Sequence, residues 1–321
     1  MHRRYLYSLI LFCLFLLPTL AAAKQQATAI PERIVLDNGV IELHLGTGQH
    51  GGSLTYLGRS GTDKNLINNH DLGRQIQQSY YAGPNTRRLA QGQHPSWSPW
   101  PWNPTQSGDA YGHPSRVLKA DKGRNQAYVK TRPNLWDMDN EPCACTVETW
   151  VELQGQAAIV TNRLRIDQDL PDWQSQPRHQ EMPAVYTIAS LSRIMTYVGD
   201  APWTRVPLTR IVKKSIPGRE NFPWNSWPSE QYSGPATEKW AAAVNEVGFG
   251  LGVFMPEAEL FIGGTVGRPG QQSPRASATT YIAPLRTMTL EPGDEVEYTY
   301  VLILGDLDEI RSAVYERMEK N

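Results

Sequence analysis

Short runs in which apolar and polar residues alternate dominate this chain, and they constrain its fold more than any other feature. In the run 146–153, Val147 and Val151 point away from Glu148 and Glu152. This period of two is typical of strands that bury one face. Twelve or so runs of this kind with a single helical pattern predict an all-β fold. We expect a large antiparallel two-sheet sandwich with long irregular loops, in preference to a barrel.

Two local signals fix the ends of this pattern. Asn38 and Gly39 lie between apolar runs and predict a hairpin turn. Asp306 followed by Glu309 forms a capping box, which predicts one C-terminal helix on the sandwich edge. The predicted strands are 33–45 as a hairpin, 53–57, 75–81, 128–131, 146–153, 158–166, 185–198, 206–216, 240–245, 250–254, 260–262, 279–290 and 295–304.

The first 23 residues predict a secretory signal peptide. Arg3 and Arg4 precede a mostly apolar run at 6–17, which ends in the small residues 21–23. The run is shorter than the roughly 20 apolar residues of a membrane span. We therefore expect a secreted or periplasmic protein without an integral membrane span, whose mature part, 24–321, is a single β-sandwich domain.

Charge and cysteine content exclude some classes of protein. The chain has 31 Lys and Arg against 32 Asp and Glu, with a formal net charge of −1. This balance excludes a general electrostatic nucleic-acid binder. Cys143 and Cys145 would lie about 6.5–7 Å apart in an extended strand, at the limit for a disulfide. This spacing favours two buried thiols, or a bridge formed where the chain bends.

The segment 68–113 is polar, rich in tryptophan and interrupted by proline, and it is too long for an ordinary connection. Its strand 75–81 has one face of amides and hydroxyls, which suits solvent or a groove. Indole rings beside hydrogen-bonding groups suit a sugar chain, although tryptophan is also a core residue. The predicted substrate-binding residues are Arg74, Gln75, Gln77, Tyr81, Trp97, Trp100, Trp102 and, in a later loop of similar composition, Trp224 and Trp227.

Ionisable residues at three places could carry acid–base chemistry. His179 and Glu181 are two apart, so an extended backbone puts both on one face, and Tyr186 is a second proton donor. Asp71 is an acid, a base or a sugar-hydroxyl acceptor, unless it only caps a turn and pairs with an arginine. Asp109 is a further candidate, for which an Asx-turn is the simpler explanation.

No cofactor is predicted from the motifs of the chain. Phosphate-loop, nucleophile-elbow and zinc-helix motifs are absent from the sequence. The alternate carboxyl groups of Asp137, Asp139 and Glu141 could share a calcium ion, although a solvated acidic turn is the favoured explanation.

The C-terminal part resembles a known class of sandwich. The stretches Lys239–Glu257 and Thr289–Leu302 resemble the strand pairs of galactose-mutarotase-like β-supersandwich carbohydrate-active enzymes. The resemblance implies that fold and a role in handling sugars. Because this fold serves epimerases, polysaccharide lyases and glycoside hydrolases, it leaves the bond unnamed.

The function predicted from the sequence is cleavage of glycosidic bonds in a polysaccharide or oligosaccharide by acid–base catalysis. A glycoside hydrolase is preferred to a lyase, in which His179 or Tyr186 would abstract a proton beside a uronate and Arg74 or another arginine would neutralise its carboxylate. The alternatives are a non-catalytic carbohydrate-binding sandwich and a sugar epimerase.

Overall fold

The protein's structure, a computed structural model, describes residues 29–212 and 237–319 together with the backbone of 225–227. The predicted signal peptide and the end of the strand predicted at 206–216 lie outside these residues. The strands are β1 Ile34–Asp37, β2 Ile41–Gly46, β3 Ser53–Arg59, β4 Ile76–Ser79, β5 Ala82–Thr86, β6 Trp100–Trp102, β7 Pro104–Thr105, β8 Arg116–Lys122, β9 Gln126–Arg132, β10 Asn134–Leu135, β11 Cys145–Gln154, β12 Ala157–Ile166, β13 Arg178–Ile188, β14 Arg193–Thr196, β15 Thr209–Ile211, β16 Asn225–Trp227, β17 Trp240–Val244, β18 Phe249–Phe254, β19 Leu260–Val266, β20 Thr279–Met288 and β21 Glu295–Asp306, followed by helix α1 Leu307–Met318.

Two antiparallel sheets contain nearly all of these strands. The first, called here the cleft sheet, has the order β1-β2-β3-β4-β13-β20-β19-β16, with β7 and β10 attached beside β4. The second, called the helix sheet, has the order β15-β14-β17-β18-β21-β12-β11-β9-β8. Strands β5 and β6 form a separate hairpin pair. The all-β prediction is confirmed.

One hydrophobic cluster joins the facing sides of both sheets, as a sandwich requires. Leu43 and Ile76 of the cleft sheet belong to the same buried cluster as Val147 and Leu302 of the helix sheet. The alternation predicted for 146–153 holds for the core face, because Val147 and Val151 are buried in the cluster; on the opposite face Glu152 is exposed, whereas Glu148 is also buried. The period-two pattern therefore reported the buried face correctly.

The C-terminal helix begins as predicted but packs elsewhere. Asp306 and Glu309 form the capping box. Ile310 and Val314 pack with Trp240 and Phe254, which lie on the face of the helix sheet opposite the main core. The helix therefore covers the back of a sheet instead of its edge, where the sequence had put it. The described residues contain no helix long and apolar enough to cross a membrane.

The cysteines are bonded to each other. Cys143 and Cys145 form a disulfide with their Cα atoms 5.1 Å apart. Cys145 is the first residue of β11, whereas Cys143 precedes the strand. The bridge therefore forms where the chain bends into β11, one of the outcomes left open by the sequence.

Candidate active site

A cleft of about 640 Å³ lies on the outer face of the cleft sheet. Its floor comes from β4, β13 and β20, and its wall comes from the proline-rich segment after β5. The strand alternation predicted at 75–81 explains the floor, because Ile76 and Tyr80 face the core while Gln77 and Tyr81 face the cleft. The structure brings together these predicted site residues: Asp71, Arg74, Gln77, Tyr81, Trp97, Trp100, His179, Glu181 and Tyr186.

Glu181 is the carboxylate on the cleft floor. Its Oε2 accepts a hydrogen bond from the Tyr81 hydroxyl at 3.2 Å. Its Oε1 accepts a hydrogen bond from the Tyr281 hydroxyl. Within 29–212 and 237–319, no ion pair to Glu181 is present. The carboxylate is therefore held by phenol groups and not by a neighbouring positive charge.

The surroundings of Glu181 favour its protonated form. Burial raises its pKa above the ordinary glutamate value, and hydrogen bonds from Tyr281, Ser79 and Tyr81 offset that rise only in part. A carboxyl group with a raised pKa keeps its proton closer to neutral pH, as a general acid must.

A bulge in β13 brings Tyr186 to the same side as Glu181. The two residues are five apart, so a regular strand would point them to opposite faces. The pairing with β20 shifts register between Glu181 and Val185, which removes this conflict. Tyr186 then stacks on Tyr281 with ring centroids 4.6 Å apart. Burial and the nearby Glu181 charge raise the pKa of Tyr186 far above its ordinary value, so its hydroxyl stays protonated.

Asp71 and Arg74 form the rim of the cleft beside Tyr186. The Arg74 Nε lies 3.5 Å from the Asp71 Oδ2, and its Nη1 donates to the Ser277 carbonyl at 2.9 Å. Asp71 also caps its own turn, because its Oδ1 accepts from the Gly73 backbone N–H at 3.0 Å. The turn-capping role is therefore present together with a position on the cleft.

Three indole rings form the aromatic wall. Trp97 packs edge to face against Trp100, with centroids 4.9 Å apart, and against Trp136 at 5.5 Å. The Trp100 indole N–H donates to the Asn103 side chain at 3.2 Å, which fixes the ring. All three rings are partly exposed. The wall therefore presents preorganised apolar surface opposite the polar floor.

His179 lies on the cleft but does not pair with Glu181. Its Nδ1 lies 3.1 Å from the Thr287 Oγ1 on the neighbouring strand. In the described part of the chain, the two predicted partners share no hydrogen bond. They lie in strand β13, which begins at Arg178, several residues before the strand predicted at 185–198.

Gln77 faces the cleft but uses its amide internally. Its Nε2 donates to the carbonyls of Leu72 and Arg74, and its Oε1 accepts from the Ser107 N–H at 2.8 Å. The amide therefore fixes the loop that carries the rim. This use leaves little hydrogen-bonding capacity for a ligand.

Asp109 lies outside the cleft. It is buried, its Oδ1 accepts from the backbone N–H of Tyr111 and His113, and its Oδ2 accepts from the Asn140 N–H at 2.8 Å. These bonds hold a loop together, as the Asx-turn explanation has it. Asp109 therefore stabilises this loop and is not part of the cleft.

Two predicted binding residues, Gln75 and Trp102, are described and are not brought to the cleft. Gln75 is fully buried, and its amide bonds Asp71 and Ser107 beneath the rim. Trp102 packs on Trp173 on the other side of the β5–β6 hairpin. Trp224 and the side chain of Trp227 lie outside the described residues.

The acidic residues considered for calcium do not share a site. Both carboxylate oxygens of Asp137 accept from Arg88, and Asp139 lies 3.5 Å from His113. In the described parts of the chain, three or more metal-ligating side chains do not gather anywhere. The Arg88 guanidinium and the Gln93 amide therefore supply the hydrogen bonds of the buried Asp137 carboxylate.

Sequence reasoning missed Tyr281 and Trp136. Tyr281 lies opposite Tyr186 because of the pairing of β13 with β20, strands that are almost a hundred residues apart. Trp136 reaches the wall through the short β7–β10 pairing. The alternation of the sequence predicts that Tyr281 lies in a strand. Its position at the site depends on the register in which β13 pairs with β20, which local alternation does not specify.

No family model and no curated protein matches the sequence. Similar solved structures include a galactose mutarotase related enzyme from Lactobacillus acidophilus, at 10% identity and a TM-score of 0.49, covering 85% of this chain and 97% of that one. A galactose mutarotase-like protein from Lactobacillus casei has 11% identity and a TM-score of 0.48, covering 85% and 99%. A 4-alpha-glucanotransferase from Thermococcus litoralis has 12% identity and a TM-score of 0.45, covering 84% and 37%. The first two are named after galactose mutarotase, as is the class of sandwich that the C-terminal sequence resembles. Likenesses of this size carry no argument about the chemistry of the cleft.

Proposed function

We propose that this protein is an exported carbohydrate-active enzyme that cleaves glycosidic bonds of a sugar chain bound in the cleft. The observation that carries the proposal is Glu181, a carboxyl group with a raised pKa on a floor of tyrosine hydroxyls. A general acid needs a proton near the working pH and a position on an open binding surface.

The shape and chemistry of the cleft support a sugar as the ligand. A sugar ring has apolar C–H faces, which suit the indole wall, and a rim of hydroxyls, which suits tyrosine and carboxylate groups. The wall rings are locked by each other and by Asn103, so little conformational entropy is lost when a ligand binds.

The two carboxyl groups on the cleft support hydrolysis. In this mechanism Glu181 protonates the leaving oxygen, and Asp71, on the rim, activates water or stabilises the sugar cation. Hydrolases divide these roles between carboxyl groups in different environments, a proton-holding one and an ionised one. Asp71 lies beside the Arg74 guanidinium, with its Oδ2 3.5 Å from the Arg74 Nε.

The charges around the cleft favour a neutral substrate over a uronate. Among the described residues that line the cleft, Arg74 is the guanidinium and it already contacts Asp71 and the Ser277 carbonyl. A lyase needs a cation on the uronate carboxylate and a basic group beside its Cα proton. Tyr186 keeps its proton because burial raises its pKa. In a lyase reaction His179 would therefore be the remaining base. The lyase is the second candidate function.

The disulfide supports export. Cysteine bridges persist in oxidising compartments and are rare in the cytosol, and Cys143 and Cys145 are bridged. Together with the leader predicted at 1–23, this favours a secreted or periplasmic location.

A turnover screen tests the proposal. The mature protein is incubated with neutral and uronate-containing polysaccharides, and both new reducing ends and ultraviolet absorbance are measured. We expect reducing ends from a neutral chain without the absorbance of an unsaturated product. We expect Glu181→Gln to lower turnover by about 10²–10⁴-fold while the chain still binds. Unsaturated product would select the lyase, and binding without turnover would select the carbohydrate-binding alternative. Anomer exchange without cleavage would select the epimerase.

A further inference from the structure

A second groove lies across the β5–β6 hairpin from the cleft. It has a volume of about 550 Å³ and is lined, among others, by Pro84, Arg88, Trp102, Pro171, Trp173 and Gln174. None of these residues belongs to the lining of the cleft. We propose that this second groove binds another stretch of the same neutral polysaccharide, a proposal that rests on the function proposed for the cleft.

The hairpin carries aromatic rings on both of its sides. Trp100 faces the cleft and Trp102 faces the second groove, although they are only two residues apart. Their Cα atoms are therefore within about 7 Å of each other. Tyr81 and Ala82, which are adjacent, divide in the same way between cleft and groove. A chain of several sugars bound at the cleft could thus extend to the second groove and contact its aromatic surface.

The rings of the second groove are held in place. Trp102 and Trp173 pack edge to face with centroids 5.0 Å apart, and both are partly exposed. The Trp173 indole N–H donates to the Leu290 carbonyl at 2.9 Å. The backbone carbonyl of Gly83, at the hairpin, accepts from Arg178 and Gln176. The geometry is that of the cleft wall, with rigid indole surface and neighbouring polar groups.

The charge of the groove fits a neutral chain. Glu141 and Asp172 line it, and its one guanidinium among the described residues, Arg88, is already paired. An anionic chain would meet two carboxylates and no unpaired cation. The same chemistry was inferred for the cleft, so one polymer can satisfy both surfaces.

Hydrogen exchange of the Glu181→Gln protein tests the proposal without disturbing the second groove. The probes are hexasaccharides and disaccharides prepared from laminarin, xylan, arabinan and galactomannan. We expect a hexasaccharide to slow exchange at 82–88 and 170–174 as well as at the cleft, and a disaccharide to protect the cleft alone. Protection confined to the cleft overturns the second groove but leaves the proposed function intact. Protection at neither place overturns both.

A substitution gives an independent test. We expect Trp173→Ala to weaken binding of the hexasaccharide about tenfold, the loss of one stacking ring, with turnover of short substrates unchanged. Trp173→Tyr keeps an aromatic ring and should restore most of the affinity. Trp150→Ala removes a partly exposed tryptophan of the helix sheet and should change neither quantity. Equal hexasaccharide affinity in Trp173→Ala and in the unsubstituted protein overturns the proposal, whereas unchanged turnover in Glu181→Gln overturns only the proposed function.

Discussion

Glu181 and Glu238 are two carboxylates that accept hydrogen bonds from tyrosine hydroxyls, yet they have opposite electrostatic surroundings. Glu238 is buried between the helix and its sheet, where its Oε1 accepts from the Arg311 guanidinium at 2.8 Å and the Tyr315 hydroxyl at 2.6 Å. Glu181 accepts from two tyrosines and has no ion pair in the described part of the chain. One carboxylate is neutralised within the fold, and the other faces an open cleft.

The pKa values of these two groups move in opposite directions. Burial alone would raise the pKa of Glu238, but hydrogen bonds from Arg311, Tyr315 and Trp240 lower it below the ordinary value. For Glu181, burial outweighs its tyrosine bonds and the pKa rises. A glutamate paired with a buried cation, such as Glu238, therefore stabilises the fold. A glutamate without such a partner, such as Glu181, is suited to proton transfer.

The largest expected effect comes from breaking the neutralised pair. Glu238→Gln leaves the Arg311 charge buried without its partner, which should cost about 3–5 kcal/mol of unfolding free energy. Chemical denaturation measures this change. Glu297→Gln, which breaks an exposed pair with Arg163, should lower the free energy of unfolding much less, because water screens an exposed pair. Equal losses of unfolding free energy in the two variants would show that the Glu238–Arg311 pair does not stabilise the fold more than an exposed pair does.

The next effect concerns the wall that faces Glu181. Trp100→Ala removes one stacking surface and should lower kcat/KM on a sugar chain about tenfold, mainly through a higher KM. Steady-state kinetics measure this change. Trp150→Ala, which removes a tryptophan stacked under Arg163 on the helix sheet, is the matched control. If both variants keep full kcat/KM, the wall does not hold the substrate.

A smaller effect separates the tyrosines from the carboxylate. Tyr81→Phe removes a hydrogen bond that stabilises the ionised form of Glu181, so the pKa of Glu181 should rise further. The general acid would then keep its proton to higher pH. The alkaline limb of the pH–kcat/KM profile should move to higher pH. Tyr56→Phe, which loses only a bond to the Thr62 carbonyl, should leave the profile in place, and a downward shift in Tyr81→Phe would contradict the assignment.

The smallest effect is on stability and has opposite signs for the two glutamates. Because the pKa of Glu181 is raised in the folded state, ionisation destabilises the fold as pH rises through the unfolded and then the folded pKa. Glu181→Gln should therefore be at least as stable as the unsubstituted protein at neutral pH, with any gain lost at acidic pH. For Glu238 the stabilisation is present above the unfolded pKa and is lost as pH falls through the folded pKa. Thermal unfolding across pH checks both, and a neutral-pH loss in Glu181→Gln would contradict this sign.

Local patterns in the sequence carry much of the fold and part of the site. Alternation alone put Tyr81 and Gln77 on one face and Ile76 on the other, and it put His179 and Glu181 on the same side of an extended segment. The capping box at Asp306 marked the helix. Each of these signals depends on neighbours within a few residues, which is the range over which backbone geometry repeats.

Long-range pairing explains what could not be predicted. Tyr281 reaches Glu181 only because β20 pairs with β13 in one register, and Tyr186 joins it only because of a bulge. From the sequence, Asp109 could be a catalytic carboxylate or the cap of a turn. In the structure it accepts hydrogen bonds from three backbone N–H groups of its own loop and its neighbourhood, which fits the cap. Composition cannot distinguish a carboxylate that caps a turn from one that lines a cleft, because the backbone donors that satisfy the first come together only when the loop folds.

The most direct test of this account is the titration of the two glutamates in the folded protein, followed by the ¹³C resonances of their labelled carboxyl carbons. The account predicts that Glu181 titrates above the ordinary glutamate range and Glu238 below it, and that the Glu181 transition matches the alkaline limb of turnover. A Glu181 carboxyl that titrates at or below the ordinary range would contradict its role as the proton donor of the cleft.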